Sequence, residues 1–266
     1  MKKIMLICTV TLFFVACEKE PDPQSDNPTN PSDTMQVGPP MDGWIPNAVT
    51  DIDGNSYDAV RIGDQVWMAQ NLRTTRFANG DAIPEEPIGS YTDPYRYAPC
   101  TDVENYGYLY NWPALMHGAS SSSTNPSGVQ GICPTGWHVP SVAEWVQLTD
   151  YVSSMDNFVC NPGYTHTIAK ALASSIGWEA SSGSCAVGND PEGNNATGFS
   201  ALPAGYWFGD GSGFGRYGRE AWFWTATENT SQTQASAIRG MSYRATNVSG
   251  GYSDKCDGYS VRCVKD

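Results

Sequence analysis

The strongest structural signal in the sequence lies in residues 133–145, which read Cys-Pro-Thr-Gly-Trp-His-Val-Pro-Ser-Val-Ala-Glu-Trp. Ser141 and Glu144 have the spacing of a capping box, in which a serine and a glutamate three residues later satisfy the first free N–H groups of a helix. Apolar residues then recur at helical spacing, which predicts a helix to about Ser153. Its apolar face comprises Val142, Trp145, Val146, Leu148 and Val152.

Elsewhere the sequence predicts short strands. Residues 57–62 (Tyr-Asp-Ala-Val-Arg-Ile) alternate, Gly63-Asp64 turns, and residues 65–68 (Gln-Val-Trp-Met) return, which indicates a β-hairpin. A weaker helix is predicted from about Thr167 to Ser175. Further aromatic strands are predicted at residues 106–112, 204–208, 221–225, 237–240 and 259–264. Two helices with short strands and long loops are typical of an α+β fold with an antiparallel sheet.

The N-terminus has the pattern of a bacterial lipoprotein signal. A positive start is followed by an apolar run of about a dozen residues, which is too short to span a bilayer. The run ends in Phe14-Val15-Ala16-Cys17, which resembles a lipobox. We therefore expect residues 1–16 to be a signal peptide and Cys17 to carry a lipid anchor, and the acidic residues after it favour the outer-membrane surface.

The next segment and the main domain differ in composition. Residues 17–42 are rich in Pro, Asp, Asn and Ser and offer little to bury, so we predict a disordered tether. Residues 43–266 form one domain's worth of chain. The net charge of −13 argues against nucleic acid and against anionic membrane surfaces as partners, which leaves the lipid anchor as the contact with a membrane.

The cysteines support export independently. Apart from Cys8 and Cys17, six remain, and an even number in an exported chain predicts three disulfides whose connectivity the spacing leaves open. No CxxC pair is present, and the three histidines (His117, His138, His166) are scattered. A zinc site is therefore not expected.

Several further motifs follow one another along residues 43–266. The first, from Ile52 to Arg73, contains Ile-Asp-Gly-Asn and then Ile-Gly-Asp-Gln-Val-Trp-Met-Ala-Gln-Asn-Leu-Arg. The others are Tyr-Leu-Tyr-Asn-Trp (108–112), Cys-Pro-Thr-Gly-Trp-His-Val-Pro (133–140), Glu-Trp (144–145), Gly-Phe-Ser-Ala-Leu-Pro-Ala-Gly (198–205), Trp-Phe-Trp-Thr-Ala-Thr-Glu (222–228) and Tyr-Ser-Val-Arg-Cys-Val-Lys-Asp (259–266). Together they resemble the Fibrobacter succinogenes major paralogous (FISUMP) domain.

This resemblance implies a C-type-lectin-like fold on an exported protein of the Bacteroidetes type. It implies a disulfide between Cys133 and Cys263. Cys160–Cys185 is expected as a local link under the second helix, and Cys100–Cys256 as the remaining pair. The same fold group includes sulfatase-modifying (formylglycine-generating) enzymes, which depend on a reactive cysteine pair. Here Cys256 and Cys263 are separated by six residues and the cysteine count is even, so no catalytic residue is predicted.

Candidate ligand-binding residues are aromatic. Aromatic side chains among Ser, Asn and Gly are a composition typical of paratopes, and they can equally stack on sugars. The predicted face lies in the loops at about 189–217 and 228–257, and its residues are Trp207, Phe208, Phe214, Tyr217, Tyr243 and Tyr252.

Calcium is the one metal that the loops suggest. Asp190, Glu192 and Asn194 could offer oxygen ligands to Ca²⁺, but such a stretch is more often a solvated turn, and no cofactor is predicted. The sequence thus predicts a surface-anchored, non-catalytic module that binds or displays glycan or protein ligands. The alternatives are an enzyme of the sulfatase-modifying type and a structural component of the cell envelope.

Overall fold

The computed structural model describes residues 43–99, 102–161, 163 and 166–266, which belong to one compact unit. The strands are β1 (Trp44–Thr50), β2 (Ser56–Ile62), β3 (Gln65–Met68), β4 (Arg96–Tyr97), β5 (Leu109–Tyr110), β6 (Trp137–His138), β7 (Tyr206–Phe208), β8 (Gly213–Gly215), β9 (Glu220–Glu228), β10 (Ala235–Ser242), β11 (Ser249–Asp254) and β12 (Val264–Lys265). The helices are α1 (Val103–Tyr106), α2 (Trp112–Met116), α3 (Val142–Ser153) and α4 (Ala169–Leu172). The predicted α+β class is confirmed.

Helix α3 begins at the predicted capping box. Ser141 Oγ accepts a hydrogen bond of 3.2 Å from Glu144 N, and Glu144 Oε2 accepts one of 2.9 Å from Ser141 N. Trp145, Leu148 and Val152 of the predicted apolar face are fully buried. Val146 is 45% exposed, so it lies at the margin of that face.

The predicted hairpin is also present, and it forms the middle of a five-stranded antiparallel sheet in the order β1-β2-β3-β12-β6. Val60 of β2 and Val264 of β12 lie opposite Trp67 on its two sides. Trp67 is completely buried, with its ring 5.0 Å from that of Trp145 and 5.6 Å from that of Phe199. The sheet therefore packs against α3 through aromatic contacts.

A second antiparallel sheet has the order β11-β10-β9, and the pairs β4-β5 and β7-β8 form two small ribbons. Buried side chains form two clusters. One joins β2 and β3 to α2 and Trp224, and the other joins Trp67, Trp145, Phe199 and Phe223.

Local sequence rules were wrong in three places. The predicted second helix is the single turn α4, because its flanks turn away to bond other loops: Ala173 is already extended, and Ser174 N donates to Ala201 O. The predicted strand at 106–112 is divided into the end of α1, β5 and the start of α2, because Asn111 caps α2 through Ala114 N. The predicted strand at 259–264 is a strand only at its end, although Tyr259 and Ser260 form isolated bridges.

The expected signal peptide, Cys17 and the tether lie outside the described residues. Within the described part of the chain, no helix is long and apolar enough to cross a membrane.

Candidate functional site

The β7–β8 hairpin carries three of the predicted aromatic residues. Trp207 lies between two other rings: Tyr97 stacks on it at 5.1 Å with an interplanar angle of 10°, and Phe214 meets it edge-on at 4.9 Å. Trp207 and Phe214 are half-buried, whereas Phe208 is 38% exposed. Trp207 therefore supports the hairpin, and Phe208 faces solvent.

A loop from another part of the chain lies against the turn of this hairpin. Gly89 N donates a 2.9 Å hydrogen bond to Gly209 O, and a Cβ built at Gly211 would be 3.4 Å from Ile88 Cγ1, so Ile88 lies beside the hairpin turn. Tyr91 lies beside Cys256, which packs under Gly209. Ile88 is 62% exposed and Tyr91 43% exposed. We call Ile88, Tyr91, Trp207, Phe208 and Phe214 the hairpin patch. Exposed apolar groups that lie together are typical of interaction sites.

Residues that pack under the turn between β7 and β8 hold it in place. A side chain at Gly209 would place its Cβ 2.5 Å from Cys256 Sγ, so only glycine fits there. Asp257 accepts hydrogen bonds from Gly209 N (2.9 Å) and from Ser253 Oγ (2.8 Å). Burial raises the pKa of the Asp257 carboxyl despite these bonds. The backbone of the patch is thus fixed by buried contacts while its rings remain accessible.

Exposed carboxylates border the patch. Asp210 lies in the hairpin turn and accepts a 2.9 Å hydrogen bond from Ser212 N, and hydrogen bonding to Ser212 lowers the pKa of its carboxyl. Asp254 is exposed at the end of β11. Apolar rings beside carboxylates suit a ligand that is partly apolar and rich in hydrogen-bond donors, such as a sugar or a protein loop.

The other three predicted aromatic residues do not join the patch. Tyr217 packs on Tyr106 at 4.9 Å, and Tyr243 is tied to Arg219 and Gly188 through its backbone and packs against the second core cluster. Tyr252 is 61% exposed, but it lies on β11. The structure therefore divides the six predicted residues between a patch, the packed interior and a strand edge.

Sequence reasoning missed Ile88 and Tyr91. Both lie between the predicted strands at 65–68 and 106–112, where no helical or strand periodicity marks a residue. The available signal was an isoleucine between Pro87 and Gly89 in otherwise polar sequence. Its position beside the hairpin depends on a contact between residues 120 positions apart (Gly89 and Gly209), which local patterns do not contain.

A lysine occupies the region suggested for calcium. The Lys170 ammonium donates to the backbone carbonyls of both Asn189 and Asp190. Asn194 is buried, and its amide nitrogen donates to Ser174 O and Val187 O. Among the described residues, no group of three or more acidic, His or Cys side chains is arranged to hold a metal. The positive charge that the structure places beside the backbone of Asp190 is therefore that of Lys170.

Two of the expected disulfides are present in the structure, Cys133–Cys263 and Cys160–Cys185. The described residues include only one cysteine of the third expected pair. Cys256 is buried with a free thiol beside Tyr91, and its expected partner Cys100 lies outside the described residues. Burial raises the pKa of this thiol, although a hydrogen bond with Tyr91 acts in the opposite direction.

His138 lies between two carboxylates. Its Nε2 is 2.6 Å from Glu144 Oε1 and its Nδ1 is 2.7 Å from Asp266 Oδ1. Burial lowers the pKa of the imidazole, but the hydrogen bonds to both carboxylates outweigh burial and the net pKa is raised. Among the described residues, no hydroxyl or thiol is bonded to this ring. The arrangement clamps β6, α3 and residue 266 together, as expected for a histidine packed under a helix start.

A shallow cleft of about 220 Å³ lies beside the loop after β1, lined in part by Asp51, Thr74, Arg76 and Thr135. The Asp51 carboxylate in this cleft already accepts hydrogen bonds from neighbouring residues of the chain. Asp51 accepts hydrogen bonds from the backbone of residues 53 and 55, from the Asn55 side chain and from Tyr57 Oη. Asp51 and its hydrogen-bond partners therefore hold the loop after β1.

Fold and site together define a disulfide-bonded α+β domain with an aromatic patch and buried structural charges. The model of the Fibrobacter succinogenes major domain matches residues 60–265 of the chain. The chain belongs to this family. Comparison with curated proteins and with solved structures gave no match.

Proposed function

We propose that the chain is a non-catalytic binding or display module with a C-type-lectin-like fold, and that it engages glycan or protein ligands through the hairpin patch. The observation that carries this proposal is the exposure of Ile88, Tyr91 and Phe208 on a rigid backbone. Exposed aromatic and apolar groups held by buried contacts bind with little loss of conformational entropy.

The hairpin patch also offers hydrogen-bond acceptors. Asp210 and Asp254 border the exposed rings, so a sugar could stack on a ring while its hydroxyls donate to a carboxylate. A protein loop could use the same groups. The mixed character supports both ligand classes, and the experiment below separates them.

The binding test uses the full chain and two variants. Glycan-array binding and pull-down of proteins from cell lysates are measured for three chains. They are the native chain, the double variant Ile88→Ser with Phe208→Ser, and the control double variant Ile176→Ser with Val146→Ser. The control removes two apolar side chains of comparable exposure, 43% and 45%, that lie away from the patch. We expect binding to fall at least tenfold in the first variant and to persist in the control. Equal binding by both variants would refute the hairpin patch as the site.

The alternative of a sulfatase-modifying enzyme is less well supported. Cys263 is bonded to Cys133, and the free thiol of Cys256 is buried with a raised pKa. A reactive cysteine requires an accessible thiolate, and burial of this kind opposes its formation. Turnover of a cysteine-containing sulfatase peptide by the native chain, if lost in Cys256→Ser, would show instead that the chain is an enzyme of the sulfatase-modifying type.

We further propose that the domain is held at the outer-membrane surface by a lipid on Cys17, with residues 17–42 as a tether. Disulfides in the domain support export, because they persist in oxidising compartments. Proteinase K added to intact cells should remove the domain, and Cys17→Ser should release it from the membrane fraction. Full protection of the domain in intact cells would contradict surface exposure.

A further inference from the structure

Strand β11 is an open sheet edge, unlike the other long edges. The outer side of β9 is bonded by loops: Trp224 N donates to Ser260 O, and Ala226 N donates to Pro140 O. The edge strand β1 is interrupted by a register shift between Ile45 and Val49, where Pro46 lacks an N–H. Such devices are how proteins prevent edge-to-edge pairing. Residues 249–254 contain neither proline nor lysine.

The backbone groups that face outward on β11 follow from its pairing with β10. The carbonyls of Ala235 and Ala237 are bonded to Asn229 N and Thr225 Oγ1, so both point toward β9. Their neighbours Ser236 and Ile238 therefore point toward β11, where they lie opposite Ser253 and Gly251.

The alternate residues of β11, Gly250, Tyr252 and Asp254, consequently direct their N–H and C=O groups away from the sheet. Within the described part of the chain, no group donates to or accepts from the backbone of Gly250 or Tyr252 on this side. An exposed row of free backbone groups is a template for another strand.

Two charged side chains on this edge, Arg239 and Asp254, also have no oppositely charged partner among the described residues. Arg239 is half-buried, and its Nη1 donates only to a backbone carbonyl, that of Ile238. Asp254 is exposed, and among the described residues neither it nor Arg239 forms an ion pair. The Arg239 guanidinium lies over Gly250, because a Cβ built there would be 2.5 Å from Nη1.

We propose that two copies of this chain associate through β11, antiparallel and about a two-fold axis, to form a continuous six-stranded sheet. In the register that uses only the free backbone groups, Tyr252 of each copy lies opposite Gly250 of the other. Both residues then exchange N–H and C=O with their counterparts, and Gly251 lies opposite Gly251 of the second copy.

The side chains along β11 of one copy complement those along β11 of a second copy, which is why a second copy is the proposed partner. Tyr252 covers the bare glycine opposite it, and its ring meets the Arg239 guanidinium that lies over that glycine. Asp254 becomes a diagonal neighbour of Gly250 on the same face, within reach of the same guanidinium. The contact between Arg239 of one copy and Asp254 of the other thus forms twice, once on each side of the axis.

Crosslinking tests the register. Opposed residues in a non-hydrogen-bonded antiparallel pair have Cα atoms about 4.5 Å apart, which is within the range that a disulfide spans. A Cβ at Gly251 would make an ordinary contact of 3.8 Å with Ile238. The full chain carrying Gly251→Cys should form a reducible dimer under mild oxidation. Ser249→Cys is the matched control on the same strand, since it would lie opposite Ser253 and should remain at the level of the native chain.

Sedimentation of the full chain in detergent tests the association itself. The native chain should show a concentration-dependent monomer–dimer equilibrium. Tyr252→Lys places a cation against Arg239 of the second copy and should weaken the dimer about tenfold or more. Tyr151→Lys, at a tyrosine 38% exposed on α3, should leave the equilibrium unchanged.

Three outcomes would overturn the proposal. One is a native chain that remains monomeric at every concentration. The second is a dimer unaffected by Tyr252→Lys. The third is equal crosslinking of the Gly251→Cys and Ser249→Cys chains, which would mean that β11 does not lie on the two-fold axis.

Discussion

The guanidinium of Arg262 and the side-chain amide of Asn71, 191 residues apart in the chain, are joined by a 2.7 Å hydrogen bond that is closed to solvent. Among the residues that the structure describes, none places a carboxylate beside Arg262. Its other donors reach the carbonyls of Met68, Phe199 and Ser200, and its charge lies over the Phe199 ring at 4.8 Å. Burial lowers the pKa of the guanidinium to about 9, so it remains charged at neutral pH.

Arg262→Met should therefore destabilise the domain strongly. The substitution removes the donor from four oxygens, three of them in buried residues, and we expect the free energy of unfolding to fall by on the order of 3 kcal/mol or more. Urea unfolding under oxidising conditions measures this. Arg61→Met removes an exposed arginine from β2 and should change stability by less than about 0.5 kcal/mol. Equal effects of the two variants would show that the buried network contributes nothing.

The two disulfides should contribute unequally. The Cys133–Cys263 bond spans 130 residues and the Cys160–Cys185 bond spans 25. The chain-entropy model gives about 5 and about 3.5 kcal/mol for such loops. Replacing the first pair with alanine should also leave a cavity, because both of its cysteines are fully buried. Denaturation of the two double variants should rank them in this order, and the reverse order would contradict the model.

Stability should depend on pH through His138. Its pKa is raised in the folded state above the ordinary 6.5, because hydrogen bonds to Glu144 and Asp266 outweigh burial. The folded protein therefore holds this proton more tightly than the unfolded chain. The contribution is fully present below pH 6.5 and is lost as the pH rises through the raised pKa.

His138→Gln should flatten the decline in unfolding free energy as the pH rises above 6.5. His117→Gln, at an exposed histidine, is the control and should retain the native slope. Parallel curves for the native chain and His138→Gln would contradict this assignment.

Trp207 and Phe208 are neighbours with different expected roles. Trp207→Ala removes the ring held between Tyr97 and Phe214 and should reduce stability by on the order of 2 kcal/mol. Phe208→Ala, at a ring 38% exposed, should cost under about 1 kcal/mol. Thermal unfolding compares the two. If Phe208→Ala were the more damaging, the hairpin patch would be a packing feature.

The Cys256 thiol should be unreactive in the folded chain. It is buried, and its pKa is raised by burial. We expect a maleimide to label Cys256 only after denaturation, as located by peptide mass spectrometry. Rapid labelling of the native chain at Cys256 would contradict its burial. Recovery of a Cys100–Cys256 peptide would restore the third disulfide expected from the sequence.

The parts of the fold that sequence predicted well are local. The capping box at Ser141 and the β2–β3 hairpin depend on residues within a few positions of each other. Strand β11 was not predicted, because Ser249-Gly250-Gly251 has low β propensity and its extended form comes from pairing with β10. The same limit applies to the binding face: sequence marked Trp207 and Phe208 as aromatic, but only the fold shows which ring is supported and which is free.

Strand β12, the last in the chain, lies inside the five-stranded sheet between β3 and β6. The neighbouring strands β3 and β6 are synthesised much earlier. They are not joined until Val264 of β12 pairs with both of them. Ribosomes that stop early would thus release chains with a gap in the centre of the sheet and an unbonded Cys133. Such fragments would be recognisable to proteases, so the synthesis of β12 becomes the checkpoint for a stable domain.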